Sequence, residues 1–284
     1  MDLLNKIATG SLQAEAKTGD YEKDGLLHCG NCHTPKQYAY EIKLSDKVLK
    51  GKGAVMCKCE QARLDELERK NKELDFEYWK QKMLINGLGK SKYQSYTFEN
   101  DDQANPEITK MCQAYVKNFS KAKKEKLGLL FYGTVGTGKT FYAVAIANAL
   151  IEKHETVKVT SITEWINSMQ TFDEVNKQKA LDDVMRASLL IIDDVGSERD
   201  TPFGLEQAYM LVDGRYNSGL PTIATTNNTL EELRNPINIS YKRIYDRILE
   251  MCSTPIEVIG ISRRKAIQDK KELKAMEILG LLDD

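Results

Sequence analysis

The sequence feature that most constrains the fold is GTVGTGKT at residues 133–140, which fits the phosphate-binding pattern GxxxxGK[ST]. An apolar run at residues 129–132 precedes it, and residues 141–150 are rich in Ala, Ile, Val and Leu with a helical pattern. A buried strand, a glycine-rich turn and a helix are therefore predicted in that order. Backbone N–H groups of such a turn and of the helix N-terminus bind phosphates. The sequence thus predicts a nucleoside triphosphate site on an α/β sheet.

Individual residues of this loop have predicted roles. We expect Lys139 to contact the β- and γ-phosphate oxygens, and the hydroxyl of Thr140 to bind Mg²⁺. The remaining predicted nucleotide-binding residues are the rest of the loop and the residue after it: Gly133, Thr134, Val135, Gly136, Thr137, Gly138 and Phe141.

Two further predicted strands end in polar side chains, as strands at the ligand-binding edge of a parallel sheet do. Residues 189–192 are apolar and are followed by Asp193 and Asp194. We expect Asp193 to bind Mg²⁺, directly or through water, and Asp194 to polarise the attacking water as general base. The run at residues 221–228 contains Asn227, which could hydrogen-bond the nucleophilic water or the γ-phosphate. A capping turn into the next helix is the alternative for this asparagine.

Two arginines lie four residues apart in a helix predicted at residues 241–249. Arg243 and Arg247 would share one helix face, and a guanidinium matches the geometry of phosphate. In self-assembling ATPases such an arginine can act on the phosphoryl group bound by a neighbour, an effect of about 10³ to 10⁵ in rate. After a last strand predicted at residues 256–261, Arg264 could reach the nucleotide of its own chain, or it could form surface salt bridges.

The charge balance gives no overall signal for nucleic acid. Among 284 residues, 41 Lys and Arg stand against 42 Asp and Glu, so any DNA contact must come from local patches. The length suits one medium domain and a smaller one. No run of about 18 apolar residues occurs, and the N-terminus mixes charged with apolar residues, so we expect a cytoplasmic protein without membrane contact.

Four of the six cysteines fall within the first 60 residues, as a CxxC and a CxC pair: Cys29, Cys32, Cys57 and Cys59. Without a secretory signal a disulfide framework is not expected, so paired thiols favour a closed, tetrahedral, structural zinc site. Residues 38–49, between the pairs, predict a small hairpin. An iron–sulfur cluster and a module without metal are the alternatives, and His28 or His33 could replace one thiolate.

Composition and motifs divide the chain into four predicted parts. Residues 1–86 form a zinc-binding, partner-interaction domain that ends in a charged helix, and residues 87–105 form a linker that begins with a glycine-rich hinge. Residues 106–265 form the ATPase domain. Residues 266–284 form a charged C-terminal tail.

The order of these motifs resembles the DnaC/DnaI-type replicative helicase loaders among the AAA+ ATPases. The matching segments, over about residues 90–265, are GTVGTGKT, LLIIDDVGSE, PTIATTNN, RIYDRILE and SRRK. The core is also similar to the IstB-type transposition helper ATPases, whereas the N-terminal cysteines resemble the zinc-bearing, helicase-binding domain of DnaI-type and phage-encoded loaders. The resemblance implies an α/β fold, namely an AAA+ P-loop NTPase core with a parallel sheet flanked by helices, and a small N-terminal zinc-binding domain.

The resemblance also implies the cofactors ATP, Mg²⁺ and Zn²⁺ and assigns roles to individual residues. They are Lys139 and Thr140 as Walker A, Asp193 and Asp194 as Walker B, Asn227 as sensor 1, Arg247 as arginine finger with Arg243 as competitor, and Arg264 as sensor 2. Two departures are visible. The second Walker B acid is Asp where many AAA+ enzymes have Glu, and only 57 residues follow Asn227, too few for a full helical lid.

The function that the resemblance implies is ATP-switched loading of a hexameric replicative helicase onto single-stranded DNA in replication initiation. The implied partners are the helicase, single-stranded DNA and further copies of the chain, in a bacterial cytoplasm and from a chromosomal or phage gene. ATP binding would favour assembly, and hydrolysis would release the loader. The alternatives are an IstB-type transposase helper ATPase and an AAA+ ATPase whose zinc module binds DNA.

Overall fold

The computed structural model describes residues 16–44, 47–197 and 201–279. Residues 1–15, which contributed to the expectation of a cytoplasmic protein, lie outside these ranges, as do Glu198 of the LLIIDDVGSE segment and residues 280–284 of the predicted tail. Contacts divide the chain into two units, one ending at Glu77 and the other beginning at Tyr78. Within the described ranges, none of the helices combines the length and the apolar composition needed to cross a membrane.

The first unit is built from two small antiparallel sheets. Strands β1 (Tyr21–Lys23) and β2 (Leu26–His28) form one pair, and β3 (Gln37–Leu44) and β4 (Lys47–Ala54) form the other. The pair β3–β4 confirms the hairpin predicted between the cysteine pairs, and it is longer than expected. Helix α1 (Lys58–Lys82) follows and is the predicted charged helix.

The second unit contains a five-stranded parallel sheet in the order β6–β7–β8–β5–β9. Its strands are β5 (Leu129–Tyr132), β6 (Val157–Ser161), β7 (Leu189–Val195), β8 (Thr222–Thr226) and β9 (Thr254–Glu257). The helices of this unit are α2 (Pro106–Lys117), α3 (Phe119–Lys124), α4 (Lys139–Ile151), α5 (Ile162–Thr171), α6 (Glu174–Arg186), α7 (Pro202–Ser218), α8 (Leu230–Arg234), α9 (Lys242–Met251) and α10 (Arg263–Ile278). The predicted α/β core with a parallel sheet flanked by helices is confirmed.

Both faces of this sheet are buried, which explains the continuous apolar runs in its strands. Alternate residues enter different hydrophobic clusters: Phe131 and Ile191 pack with α2 and α4, whereas Leu130 and Ile192 pack with α5, α7 and α9. The sheet order places β5 beside β8, and β8 beside β7. The carboxyl ends of these three strands therefore meet at one edge.

The last strand ends earlier than the sequence predicts. Strand β9 covers Thr254–Glu257, and the N–H of Val258 still donates to the carbonyl of Tyr132. Strand β5 ends at Tyr132, where the glycine-rich loop begins, so later residues have no partner strand. The predicted extension to residue 261 is therefore wrong, and Ile259 and Ile261 are exposed.

Residues 87–105, predicted as a linker, contribute to the core of the second unit. A π-helical turn (Met83–Gly87) and two 3₁₀ turns (Ser91–Ser95 and Phe98–Asn100) run along the sheet. Leu88 and Tyr93 are buried in the same hydrophobic cluster as α4. A Cβ atom at Gly87 would lie 2.7 Å from the carbonyl oxygen of Val157, so this glycine serves close packing.

Most of the described residues of the predicted charged tail lie in α10, which ends at Ile278. The domain boundaries proposed from sequence stay a prediction.

One buried arginine joins the end of α6 to the start of β8. Arg215 is fully buried, and its guanidinium donates to the carbonyl oxygens of Val184, Met185, Ala187 and Pro221 and to the hydroxyl of Thr222. Burial lowers the pKa of Arg215 to about 10, so the group remains charged at neutral pH. These bonds offset the cost of removing the charge from water.

Candidate functional site

The glycine-rich loop joins β5 to α4 and has the backbone conformation that its sequence predicts. Gly136 and Gly138 have φ angles of 86° and 107°, a region that favours glycine. A Cβ atom at Gly136 would collide with the side chain of Ser262, and one at Gly138 would collide with the guanidinium of Arg263. The two glycines therefore allow residues 262–263 to lie directly against the loop.

Lys139 begins α4 with its side chain buried in the loop. Its Nζ donates to the carbonyl oxygens of Gly133 at 2.8 Å and Thr134 at 2.7 Å. An ammonium group has three donors, so one remains for a phosphate oxygen. Burial lowers the pKa of Lys139, and the Asp194 carboxylate opposes that shift.

A β-bulge brings both predicted Walker B acids to one site. The register between β7 and β8 shifts between Ile192 and Val195, and Asp194 has a φ of 60°. Adjacent residues of a regular strand face opposite sides of the sheet. Because the bulge rotates the chain, Asp193 and Asp194 line the same pocket. The sequence predicts the two acids at the strand end but gives no sign of the bulge.

Three hydroxyl groups surround the carboxylate of Asp193. Thr140 and Thr225 donate to Oδ1 at 2.8 and 2.7 Å, and Tyr93 donates to Oδ2 at 3.1 Å. Thr140 and Asp193 are the two predicted Mg²⁺ ligands, and they lie in direct contact. Magnesium is commonly bound by one or two carboxylates together with substrate phosphates, so these oxygen donors fit the ion.

The second acid is held by different groups. Asn227 Nδ2 donates to Asp194 Oδ1 at 2.8 Å, and the backbone N–H of Asp194 donates to the hydroxyl of Thr225 at 2.9 Å. The predicted general base and the predicted sensor asparagine are therefore hydrogen-bonded partners.

A pocket of about 370 Å³ unites these groups. Its lining includes most residues predicted to bind nucleotide or Mg²⁺ or to act on them: Val135, Gly136, Gly138, Lys139, Thr140, Phe141, Asp193, Asp194, Asn227 and Arg264. Gly133, Thr134 and Thr137 complete the loop, in which the Thr137 hydroxyl donates to the Thr134 carbonyl. The volume lies in the range of small-molecule sites.

Four residues at this site were missed by the sequence reasoning. Arg263 forms a two-pronged ion pair with Asp102, with both N–O distances at 2.6 Å, and its backbone N–H donates to the Gly136 carbonyl. Thr225 and Tyr93 bind Asp193, as described above. Arg263 is the neighbour of the predicted Arg264, but nothing in the local pattern of residues 93 and 102 signals contact with the pocket.

The two arginines of α9 lie away from the pocket and differ from each other. Arg247 pairs with Asp213 at 2.7 Å and lies over the rings of Tyr209 and Tyr216. Arg243 is exposed, and within residues 16–44, 47–197 and 201–279 it forms no hydrogen bond or ion pair. The arginine that the sequence favours as a finger is therefore already engaged within its own chain.

The four N-terminal cysteines converge in the first unit. The sulfur atoms of Cys29, Cys32, Cys57 and Cys59 all lie within 4.8 Å of one another. A tetrahedral zinc site with Zn–S bonds of about 2.3 Å separates its sulfurs by roughly 3.8 Å, so the arrangement fits a four-thiolate ion. Two of the observed Sγ–Sγ distances are 3.5 and 3.3 Å.

Hydrogen bonds favour the thiolate form of Cys29 and Cys32, whereas the three neighbouring sulfurs raise the pKa of Cys59 to about 12. Backbone N–H groups of Cys32 and Asn31 bond to the Cys29 sulfur and lower its pKa, and the Thr34 hydroxyl lies 3.0 Å from the Cys32 sulfur. His28 and His33 are directed elsewhere, since their Nδ1 atoms contact the Leu26 carbonyl and the Tyr21 hydroxyl. In the described part of this unit the ligand cluster consists of the four cysteines.

Comparison with known proteins places the core among ATP-binding relatives. The chain is 28% identical over 182 residues to the replicative helicase loader DnaI of Bacillus subtilis (strain 168), covering 59% of this chain and 58% of DnaI. It is 27% identical over 186 residues to the replicative helicase loader DnaC of Escherichia coli (strain K12), covering 64% of this chain and 73% of DnaC. The match thus spans less than two thirds of DnaI.

The fold has a counterpart among solved structures. A crystal structure of DnaI aligns with 63% of this chain and 96% of its own length, with a TM-score of 0.51 and 22% identity. The predicted resemblance to DnaC/DnaI-type loaders is confirmed. The profile of the family described as "IstB-like ATP binding protein" matches residues 75–271, more than half of the chain. The chain therefore belongs to the IstB-like ATP binding protein family.

Proposed function

We propose that this protein binds ATP with Mg²⁺ and hydrolyses it as a switch for loading a replicative helicase onto single-stranded DNA. The observation that carries the nucleotide chemistry is the convergence of Lys139, Thr140, Asp193, Asp194 and Asn227 in one pocket. The similarity to proteins named replicative helicase loaders supports the biological role. A cytoplasmic location and assembly with further copies are part of the same proposal.

The chemistry follows from the positions of these side chains. Lys139 and the loop N–H groups would bind the phosphates, while Thr140 and Asp193 would hold Mg²⁺, which supplies charge neutralisation at the phosphates. Asp194, oriented by Asn227, would accept the proton of the attacking water. Arg264 lines the pocket and would add positive charge near the terminal phosphate.

The arginine supplied to a neighbouring copy is proposed to be Arg243. Its exposure and the engagement of Arg247 with Asp213 support this choice over the one favoured by sequence. Arg243→Ala should retain nucleotide binding and lose hydrolysis, because only the transferring phosphoryl group depends on it. Mixing Arg243→Ala with Asp194→Asn subunits should restore activity, since one composite site is then intact. Arg247→Ala serves as the control, and recovery only with Arg247→Ala would reverse the assignment.

The first unit is proposed to bind zinc and to contact the helicase. The fit of four thiols to one tetrahedral ion supports the metal. The exposed apolar residues of the β3–β4 hairpin, Tyr38, Ile42 and Leu49, support a role in protein contact.

A pull-down from host lysate tests the function as a whole. The full-length protein should retain the replicative helicase in the presence of ATP and release it with ADP. Lys139→Ala should lose this nucleotide dependence, whereas Lys110→Ala, at an exposed lysine of α2, should behave as wild type. Recovery of a transposase in place of the helicase would favour the transposition-helper alternative. Absence of the helicase in both nucleotide states would contradict the proposal.

A further inference from the structure

Tyr93 is a buried residue that contacts the centre of the nucleotide site from outside every recognised motif. Its side chain is 2% exposed, and its hydroxyl donates to Asp193 Oδ2 at 3.1 Å. The two residues are 100 positions apart in the chain. The opposite oxygen of the same carboxylate, Oδ1, accepts from Thr140 and Thr225.

The segment that carries Tyr93 is fixed without the help of this hydroxyl. Asn148 of α4 donates to the backbone carbonyls of both Tyr93 and Tyr96, each at 2.8 Å. The ring of Tyr93 packs against Tyr96, with centroids 5.5 Å apart, and Tyr96 in turn packs against Phe141 of the pocket. A phenylalanine at residue 93 would keep these contacts. It would lose the bond to Asp193 and a longer contact of 3.4 Å that the hydroxyl accepts from Lys90 Nζ.

We propose that Tyr93 is a positioning residue that holds the carboxylate of Asp193 in the orientation needed for magnesium. With both threonines on Oδ1, the carboxylate is fixed at one oxygen only, and the bond from Tyr93 fixes the other. The carboxylate then cannot swing about its contact with the threonines. This inference rests on the proposed binding of magnesium and nucleotide at the same site.

The magnitude expected is that of other groups that orient metal ligands. Removing a hydrogen-bond partner of a metal-binding side chain typically weakens metal affinity by about 10- to 100-fold. Two threonine contacts remain in this case, so we expect the lower end, about tenfold. Affinity for nucleotide without metal should not change, because Tyr93 does not line the pocket among the described residues.

The test is a magnesium titration of full-length protein with a fluorescent, non-hydrolysable ATP analogue. For Tyr93→Phe the magnesium concentration at half-saturation should rise about tenfold, with unchanged binding of the analogue in EDTA. Tyr115→Phe is the matched control, because the buried Tyr115 donates its hydroxyl to the Leu127 carbonyl, outside the pocket lining. The control should lose stability but keep the wild-type magnesium midpoint.

The remaining outcomes of the titration contradict the positioning role of Tyr93. An unchanged magnesium midpoint in Tyr93→Phe would overturn it, and an equal loss of binding with and without magnesium would assign the residue to packing. Unfolding midpoints of both variants identify any general loss of structure. If wild-type protein binds the analogue without any response to magnesium, the proposed function fails first and this inference with it.

Discussion

The two units of this protein differ in what holds their functional side chains. In the second unit the nucleotide site lies at the edge of a sheet with both faces buried, so a hydrophobic core fixes its residues. In the first unit only Cys29, Lys36 and Cys57 are buried among residues 16–43 and 48–77. A module with so little core depends on a metal or on a partner for stability. The nucleotide site thus depends on a core that is already folded, whereas metal binding at the cysteine site is expected to stabilise the fold of the first unit.

Removal of the cysteines should produce the largest loss of stability, and it tests whether the first unit depends on metal for its folding. Zinc-binding free energies in small domains reach about 10 to 16 kcal/mol, which exceeds the stability of most folded modules. Replacing Cys29 and Cys57 by serine should abolish the bound zinc and open residues 16–77 to proteolysis, while nucleotide binding by the second unit persists. Cys112→Ala, at a buried cysteine of the core, should keep about one zinc per chain. A first unit that resists protease without metal would contradict the comparison.

Loss of the buried arginine should produce a smaller effect, confined to the second unit. Arg215→Met removes the side-chain donor to the carbonyls of Val184 and Ala187, whereas the Pro221 carbonyl keeps the N–H of Leu190. We expect a loss of roughly 3 kcal/mol or more in the free energy of unfolding, measured in urea. The zinc content should not change.

The matched control for this variant is Arg186→Met, at an exposed arginine of α6, which should stay within about 0.5 kcal/mol of wild type. Equal destabilisation by both variants would show that the buried position of Arg215 is not what matters.

The smallest expected effect is the difference in stability between two variants of Asp194. Both Asp194→Ala and Asp194→Asn should lose hydrolysis, because neither side chain can accept the proton. Asparagine tolerates a positive φ better than alanine and can keep the hydrogen bond from Asn227, so the alanine variant should be less stable by about 1 kcal/mol. Equal unfolding midpoints would indicate that the bulge in β7 relaxes at no cost.

The parts that sequence predicts well are those in which a motif fixes its own structural context. The glycine-rich loop demands a strand before it and a helix after it, and the apolar run before Asp193 demands a buried strand. Long-range pairing is different, since Tyr93 meets Asp193 only because the segment at 88–100 packs along the sheet. Gly87 and Gly89 suggested a hinge, because flexible turns and close backbone contacts require the same residue.

Sequence also does not predict which of two nearby arginines takes a given role. Arg263 and Arg264 are neighbours at the start of α10, and successive residues of a helix point about 100° apart. Both line the pocket, but only the geometry reveals that Arg263 is paired with Asp102. Likewise, the four-residue spacing of Arg243 and Arg247 predicts a shared face and cannot predict that Asp213 lies beside one of them.

The hydroxyl group of Thr225 links the two acids of the site. Thr225 donates to the carboxylate of Asp193 and accepts from the backbone of Asp194. A displacement of Asp193 or Asp194 should therefore also displace Thr225 of strand β8 and, through it, the other aspartate. The magnesium binding proposed for Asp193 and the water activation proposed for Asp194 would therefore be coupled through one side chain, and a change that weakens one should weaken the other.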